Sequence, residues 1–332
     1  MNILVTGATG FIGHNLVEQL VQRGERVHLL CRPTANVSIF NQKNVHVCWG
    51  NILDAASVSR SLEGCDRVFH LAAYAKNWAS NPNTFIEMNV GGLKNILDAA
   101  QSNGVKKVIF ISSVVTLGPS NGVATSESSV RTTECFTDYE RSKILAEETV
   151  KEYVRGGMHV VIVNPTRVFG PGLMSEGNSV TKMIQWYLEG KWRFILGDGN
   201  GVGNYAFVQD LVNGMLLAME HGKSGERYVL GGENVSYNKF FEVLSEVSGR
   251  HHKLFHLPAK VAMLTSQVEE WCAKHFQHYP AITPGWVKTF LADWAVSCAK
   301  AEQELGYRIT PLREAFEITI DWLRQQGNEV SK

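Results

Sequence analysis

The chain opens with a short apolar run, "NILVT", that leads without a break into "GATGFIG". Glycine therefore stands at positions 7, 10 and 13, at the point where a strand gives way to the amphipathic stretch "FIGHNLVEQLVQRG". Glycine lets a backbone turn sharply and come close to a pyrophosphate, whose charge then rests at the positive end of the following helix. A glycine triplet alone is a weak signal. The preceding apolar strand and the following helix, closed by Gly24, are the context the motif requires. Gly7, Thr9, Gly10, Phe11, Ile12 and Gly13 are expected to hold a dinucleotide.

Beyond this turn, apolar runs alternate with helical patterns. "RVHLLC", "VHVCWG", "RVFHLAA", "KKVIFISS" and "HVVIVNP" read as strands, and helices are expected near 55–62, 84–102 and 139–155. Strands and helices repeating in this order predict an α/β fold, a doubly wound parallel sheet covered on both faces. After Pro165 the texture changes to glycine-rich loops ("VFGPGLMSEGN", "LGDGNGVGNYA"), aromatic helices such as "MIQWYLEGKWRF", and one further strand, "ERYVLGG". Residues 1–165 are expected to form a cofactor domain to which later segments return, and 166–332 mainly a smaller α/β substrate lobe packed against it.

Composition narrows the function classes. The 332 residues carry 32 basic and 32 acidic side chains, so no net field favours nucleic acid or an anionic surface. No stretch approaches the ~18 uninterrupted apolar residues of a membrane span, and "MNILVTG" has no basic leader, so a soluble protein is expected. Six scattered cysteines without CxxC spacing argue against a zinc site or a disulfide framework, and point to a reducing cytoplasm. The histidines of "RHHKLFH" and "KHFQH" lack a nearby carboxylate pattern that would complete a metal site, and no metal is expected.

An NAD-binding fold of this kind usually has an acidic residue at the end of its second strand, about 20 residues on, to bond the ribose hydroxyls. This chain has "LLCRP" there. Arg32 can grip a 2′-phosphate that a carboxylate would repel, so NADP is favoured over NAD.

In order along the chain, "TGATGFIG", "NI" at 51–52, "HLAA" at 70–73, "ISS" at 111–113, "YERSK" at 139–143 and "NPTRVFGPG" at 164–172 resemble the motifs of the extended short-chain dehydrogenase/reductase family, with its Rossmann fold. The resemblance covers nearly the whole length. It implies that Asn51 and Ile52 lie near the adenine, and that Leu71, Ala72, Ala73, Pro165, Thr166 and Val168 line the cofactor. It also implies a catalytic Tyr139–Lys143 pair with an upstream Ser113, Ser112 being the neighbour that could take that place. The spacing suits the pair, because helix positions four apart share a face.

The chemistry accounts for these residue types. Hydride transfer to a carbonyl carbon needs a proton at the oxygen, and a free phenol, pKa ~10, is too weak an acid near neutrality. A nearby ammonium and an oxidised nicotinamide both favour phenolate, so Lys143 is expected to lower the pKa of Tyr139 and to hold the nicotinamide ribose. Ser113 would donate to the same carbonyl oxygen as charge develops there.

Which reaction follows is narrowed by departures from the family's patterns. Sugar-nucleotide dehydratases carry an acidic pair after the Ser/Thr, where this chain has Val114 and Val115. Epimerases commonly place a diphosphate-binding arginine where "GVGNYAFVQDLV" has Asn204, although Arg167, Lys182 or Arg227 could compensate. Aromatic and apolar residues, Tyr74, Trp78, Met183, Trp186 and Tyr205 with Thr116, are expected around a lipophilic carbonyl substrate. "LLCRPTAN", "FISSVVTLG" and "LGYRITPLREAFEITIDWL" resemble the dihydroflavonol-4-reductase-like branch. An NADP-dependent reductase is therefore the leading expectation, a sugar or sugar-nucleotide epimerase the alternative, and a non-catalytic NADP sensor a lesser one. Family members often dimerise through the helices near 84–102 and 139–155, which makes a homodimer possible here.

Overall fold

The computed structural model describes residues 1–276 and 278–330. Its first half runs β1 (Asn2–Thr6), α1 (Phe11–Gln22), β2 (Arg26–Cys31), β3 (Val45–Trp49), α2 (Ala55–Leu62), β4 (Arg67–His70), α3 (Asn83–Ile86), a π turn at Glu87–Gly91, α4 (Gly92–Ser102), β5 (Lys107–Ile111), α5 (Asp138–Arg155) and β6 (Val160–Pro165). Every residue of β5 and β6 is buried, as the unbroken apolar runs require of strands covered on both faces. The single helix expected near 84–102 is interrupted by the π turn.

The second half contains β7 (Arg167–Phe169), α6 (Ser179–Leu188), β8 (Phe194–Leu196), β9 (Val202–Phe207), α7 (Val208–His221), β10 (Arg227–Leu230), β11 (Glu233–Ser236), α8 (Tyr237–Ser248), β12 (Phe255–Leu257), α9 (Ala259–Phe276), α10 (Pro284–Leu291), α11 (Ala299–Leu305) and α12 (Leu312–Val330). Seven parallel strands form one sheet in the order β10-β6-β5-β4-β1-β2-β3. The chain thus comes back to this sheet with "RYVL", the strand read from the sequence. Strand order reverses between β1 and β4, so the C-terminal ends of those two strands flank the switch point where open α/β sheets bind ligands.

Two apolar cores sandwich the sheet. Leu16 and Leu20 of α1, Leu211 and Met215 of α7, and Leu305 of α11 pack on one face. Val58 and Leu62 of α2, Ile96 and Leu97 of α4, and Ala146 and Val150 of α5 pack on the other. Burying each such aliphatic side chain contributes ~1.5–3 kcal/mol, which holds the strand ends in fixed register.

The lobe has its own core of Phe169, Ile184, Tyr187, Phe240 and Phe316 around the three-stranded sheet β11-β9-β7, with a two-stranded sheet β12-β8 alongside. The "GVGNYA" stretch expected as a loop is largely strand β9, with five of its six residues buried. Its Gly203 sits where a Cβ would lie 2.3 Å from Nη1 of Arg167, a close approach of the kind that puts glycine inside a strand.

Candidate active site

At the switch point the glycines are there because nothing else fits. Gly7 has φ +76°, and a Cβ on it would stand 2.8 Å from the amide nitrogen of Ala72. A Cβ on Gly13 would stand 2.2 Å from the carbonyl oxygen of Gly7. These contacts draw the start of α1 against the ends of β1 and β4. Unlike α2 and α5, whose N-caps Asp54 and Thr137 accept from the first turn, α1 starts at Gly10 with no side-chain acceptor and no acid in its first turn. Its first N–H groups and its dipole are thus left for an anion, as the dinucleotide reading requires.

The other expected cofactor residues fall around this edge with differing roles. Arg32 is exposed directly after β2, and among the described residues it makes no ion pair. Asn51 is exposed, its side chain accepting from the Leu53 amide, while Ile52 is buried in the core against Gly92. The amides of Leu71 and Ala72 donate to the carbonyl and hydroxyl oxygens of Thr6, which fixes the Leu71–Ala73 strand end beside Gly7. Pro165 ends β6; Thr166 follows with a buried hydroxyl that has no partner among the described residues; Val168 packs its side chain into the core from β7. A buried hydroxyl without a partner at a strand end, next to a backbone cradle that only glycine permits, suits a polar ligand lying along this edge.

Tyr139 is in the first turn of α5, which Thr137 caps by accepting from the Glu140 amide. Ser113, just after β5, is close enough to the Tyr139 phenol to favour its ionised form, and its hydroxyl oxygen accepts from the Val115 amide. Lys143, one turn further on and buried, donates to the carbonyl of Ile111 at 2.9 Å, and its ammonium is 5.9 Å from the Tyr139 ring centroid. Tyr139, Lys143 and Ser113 therefore meet at the C-terminal end of β5.

A buried network explains which serine faces the phenol. Glu147 accepts from Ser112 at 2.5 Å, from Thr116 at 2.9 Å and from Asn164 at 2.8 Å, and its other oxygen is 3.5 Å from Arg227. Ser112 is thus committed to Glu147. Thr116, expected beside the substrate, belongs to the same network, because its hydroxyl also bonds the Ser113 carbonyl and accepts from Asn164.

The electrostatics differ from the sequence expectation. Burial pushes the Tyr139 phenol up to about 12, and the nearby Ser113 only partly offsets it. Burial likewise pulls Lys143 down to about 8, with the Glu147 carboxylate opposing. In the chain by itself the cost of placing phenolate in a dry site keeps Tyr139 protonated. His70, buried between Thr6 Oγ1 at 2.8 Å and the Phe110 ring, is held neutral: burial, then the charge of Lys143, lowers it to about 3.

Two functional candidates were not drawn from the sequence in these roles. Asn89, in the π turn, accepts from the Tyr74 amide at 2.7 Å, donates to the Tyr74 carbonyl at 3.2 Å, and donates to Ser142 on α5 at 2.8 Å. It ties the loop after β4 to the Tyr139 helix, and an interrupted helix is a common place for such a group. Arg167 was named only as a possible compensating cation. Its Nη1 donates to the Tyr237 hydroxyl at 2.7 Å, the guanidinium lies 5.0 to 5.7 Å from the rings of Phe290, Tyr237 and Tyr205, and its buried Nη2 has no partner among the described residues. The signal was the glycine two residues before Tyr205, but nothing local links position 203 to 167.

The expected substrate residues separate. Tyr74 and Trp78 are on the loop after β4, the Tyr74 hydroxyl donating to the Trp78 carbonyl. Met183 and Tyr205 are buried in the lobe core, Tyr205 against Phe240 and Arg167. Trp186 is exposed, stacked on Trp192 beneath the Lys182 ammonium. Asn204 is buried, bonding Gly232 and Asn234 across β9 and β11.

The profile of the NAD dependent epimerase/dehydratase family matches residues 3–231. The chain belongs to that family. Within it the chain falls among the extended short-chain dehydrogenase/reductases of the dihydroflavonol-4-reductase-like kind, nicotinamide-dependent enzymes that act on hydroxyl or carbonyl groups. It is 29% identical to sterol demethylase protein B of Methylococcus capsulatus, covering 98% of this chain and 99% of that one. It is 27% identical to a 3 beta-hydroxysteroid dehydrogenase/Delta 5-->4-isomerase of Mycobacterium tuberculosis, over 92% and 85% of the two chains. Among solved structures, gox2253 superposes with a TM-score of 0.82 at 33% identity, and the UDP-glucose 4-epimerase of Thermotoga maritima with 0.81 at 27%; each comparison covers 98% of this chain, and 98% and 99% of the other.

Proposed function

We propose that this enzyme is an NADP(H)-dependent reductase or dehydrogenase acting on the carbonyl or hydroxyl of an apolar or aromatic substrate. The observation that carries the reading is the meeting of Tyr139, the buried Lys143 one helical turn away and Ser113 at the end of β5, at the sheet edge that holds the glycine turn. When bound, the reduced nicotinamide supplies the hydride. Tyr139, protonated in the chain, gives its proton to the carbonyl oxygen, which becomes the hydroxyl of the product. Ser113 donates its hydroxyl proton in a hydrogen bond to that oxygen and fixes its position. Lys143, charged below about pH 8, stabilises the phenolate left behind and anchors the ribose. Tyr74 and Trp78 offer an apolar wall beside this centre, and Arg32 receives the 2′-phosphate. The hydroxysteroid dehydrogenase among the relatives acts on a substrate of this lipophilic kind.

A second reading rests on Arg167. A guanidinium with an unpartnered Nη2 suits an anionic group on the substrate, and the similarity to a UDP-glucose epimerase makes a sugar nucleotide the alternative. The test is to follow NADPH and NADH consumption with a panel of aromatic, aliphatic and steroidal carbonyls, then UDP-sugar epimerisation. Turnover of the carbonyls with NADPH supports the reductase; epimerisation alone overturns it. Arg32→Asp should weaken NADPH at least tenfold more than NADH, about 1.4 kcal/mol; equal losses would remove the 2′-phosphate role.

A further inference from the structure

Helix α9 is inside out. Its buried positions are the small residues Ala262, Ser266 and Ala273, while Val261, Leu264, Val268 and Trp271 are 47%, 63%, 55% and 54% exposed. At about 100° per residue these four share one stripe, roughly opposite the buried face. At the end of the stripe the Trp271 ring meets Phe276 edge-on at 6.4 Å, and Phe276 and the nearby Tyr279 are 72% and 49% exposed. At the other end of α9, the paired strands β8 and β12 add the exposed rings of Phe194 and Phe255, 6.3 Å apart. A concentration of exposed apolar side chains of this extent on one helix and the strand pair that precedes it marks an interaction site.

Charge selects the occupant. Lys260 and Lys274 lie on the row through Gln267 that runs beside the stripe, and Lys253 is over the Phe255 ring at 5.4 Å. The two acids of the helix are turned away from the stripe: Glu269 accepts from the Ala281 amide and meets His278 at 3.2 Å, and Glu270 is 3.5 Å from Lys274. Large apolar side chains flanked by lysines, with Trp271 and Tyr279 toward one end, are the pattern of a helix lying in the plane of a membrane surface. No helix among the described residues is long and apolar enough to cross one. The segment just past α9 also meets the loop after β4 that carries Tyr74 and Trp78: the Tyr279 ring packs edge-on against Trp78 at 5.9 Å, with the Lys76 ammonium 5.2 Å from its centroid.

We propose that α9, with the Phe194 and Phe255 rings, docks this enzyme on a bilayer surface containing anionic lipid, with the loop after β4 held against the interface. Lys260, Lys274 and Lys253 would meet lipid phosphates while the stripe enters the boundary between headgroups and acyl chains. Docking does not depend on which carbonyl is turned over, so it is read by binding and not by activity.

The experiment is co-sedimentation of the full chain with phosphatidylcholine vesicles, with and without phosphatidylglycerol. Wild type should pellet with the mixed vesicles and less with phosphatidylcholine alone. The double variant Leu264→Asp/Trp271→Glu should lose about tenfold or more of the bound fraction, and Lys260→Glu/Lys274→Glu should lose several-fold, with added salt weakening wild type in the same direction. All four positions are exposed, so unchanged NADPH binding and melting temperature are expected and verify that the variants are folded. Wild type remaining in the supernatant with both vesicles overturns the assignment, as does equal pelleting of the Leu264→Asp/Trp271→Glu variant. A wild-type dimer that this variant dissolves, with no binding to vesicles, also overturns it and makes the face a contact between copies.

Discussion

Two glycines in this molecule make room for something that comes too close for any other residue, and the two contacts are built differently. Gly13 lies against the carbonyl oxygen of Gly7, a neighbour within one strand-turn-helix unit, whereas Gly203 lies against the guanidinium of Arg167, which reaches it from a different strand. In the first case both partners are backbone and both sit in one short motif. In the second the partner is a side chain, held by Tyr237 and by rings from α8, α10 and β9. A local contact leaves its signature in consecutive residues; a contact across the fold leaves a single glycine with no visible reason.

A change that spares both contacts sets the scale. Tyr139→Phe removes one hydroxyl and should lower turnover by about 10²–10⁴-fold, with NADPH binding within a few-fold of wild type; full activity in a carbonyl assay would remove Tyr139 from the chemistry. Gly13→Ala should come next. Backbone oxygen cannot swing aside, so α1 must shift, and NADPH affinity measured by fluorescence titration should drop with a cost of about 1–3 kcal/mol. The pH dependence separates the centre from both glycines. Lys143 is charged below about 8 and neutral above it, so reduction should fall as pH rises through about 8, approaching tenfold per unit. Glu147→Gln removes the charge that raises Lys143 and should move this limb to lower pH; an unmoved limb would assign it to another group. Gly203→Ala should have the smallest effect, a few-fold change in substrate KM with NADPH binding intact, since a guanidinium can be displaced more easily than a peptide. Equal damage to cofactor binding by the two glycine variants would break the distinction.

The same distinction governs what was legible in the sequence. Strands β1, β2, β4, β5, β6 and the returning β10 were readable because each is an apolar run largely buried between helices, the edge strand β3 because its short run is apolar even though its residues are partly exposed, and the glycine turn because its partners are adjacent. The short strands β7, β8, β9, β11 and β12 were not foreseen: three to six residues long, in part rich in glycine and asparagine, they are fixed by pairing across the lobe and not by their own pattern. Ser113 could not be separated from Ser112 until Glu147, 35 positions from Ser112, was seen to take the latter. Met183 and Tyr205 read as substrate contacts because aromatic and apolar residues are needed equally by a lobe core. The lowered phenol pKa expected from the Tyr139–Lys143 spacing did not allow for burial, which a spacing does not report.

The π turn at Glu87–Gly91 carries a consequence for how this chain can vary. A π turn accommodates an extra residue within a helix, and each helical residue contributes about 100° of rotation. Deleting one residue there would give a more regular helix and turn Asn89 away from Tyr74 and Ser142, releasing the loop that bears Trp78. This segment is therefore locked in length rather than in composition: substitutions on its exposed side should be tolerated where a single-codon deletion is not, and a better-formed helix would make a worse enzyme.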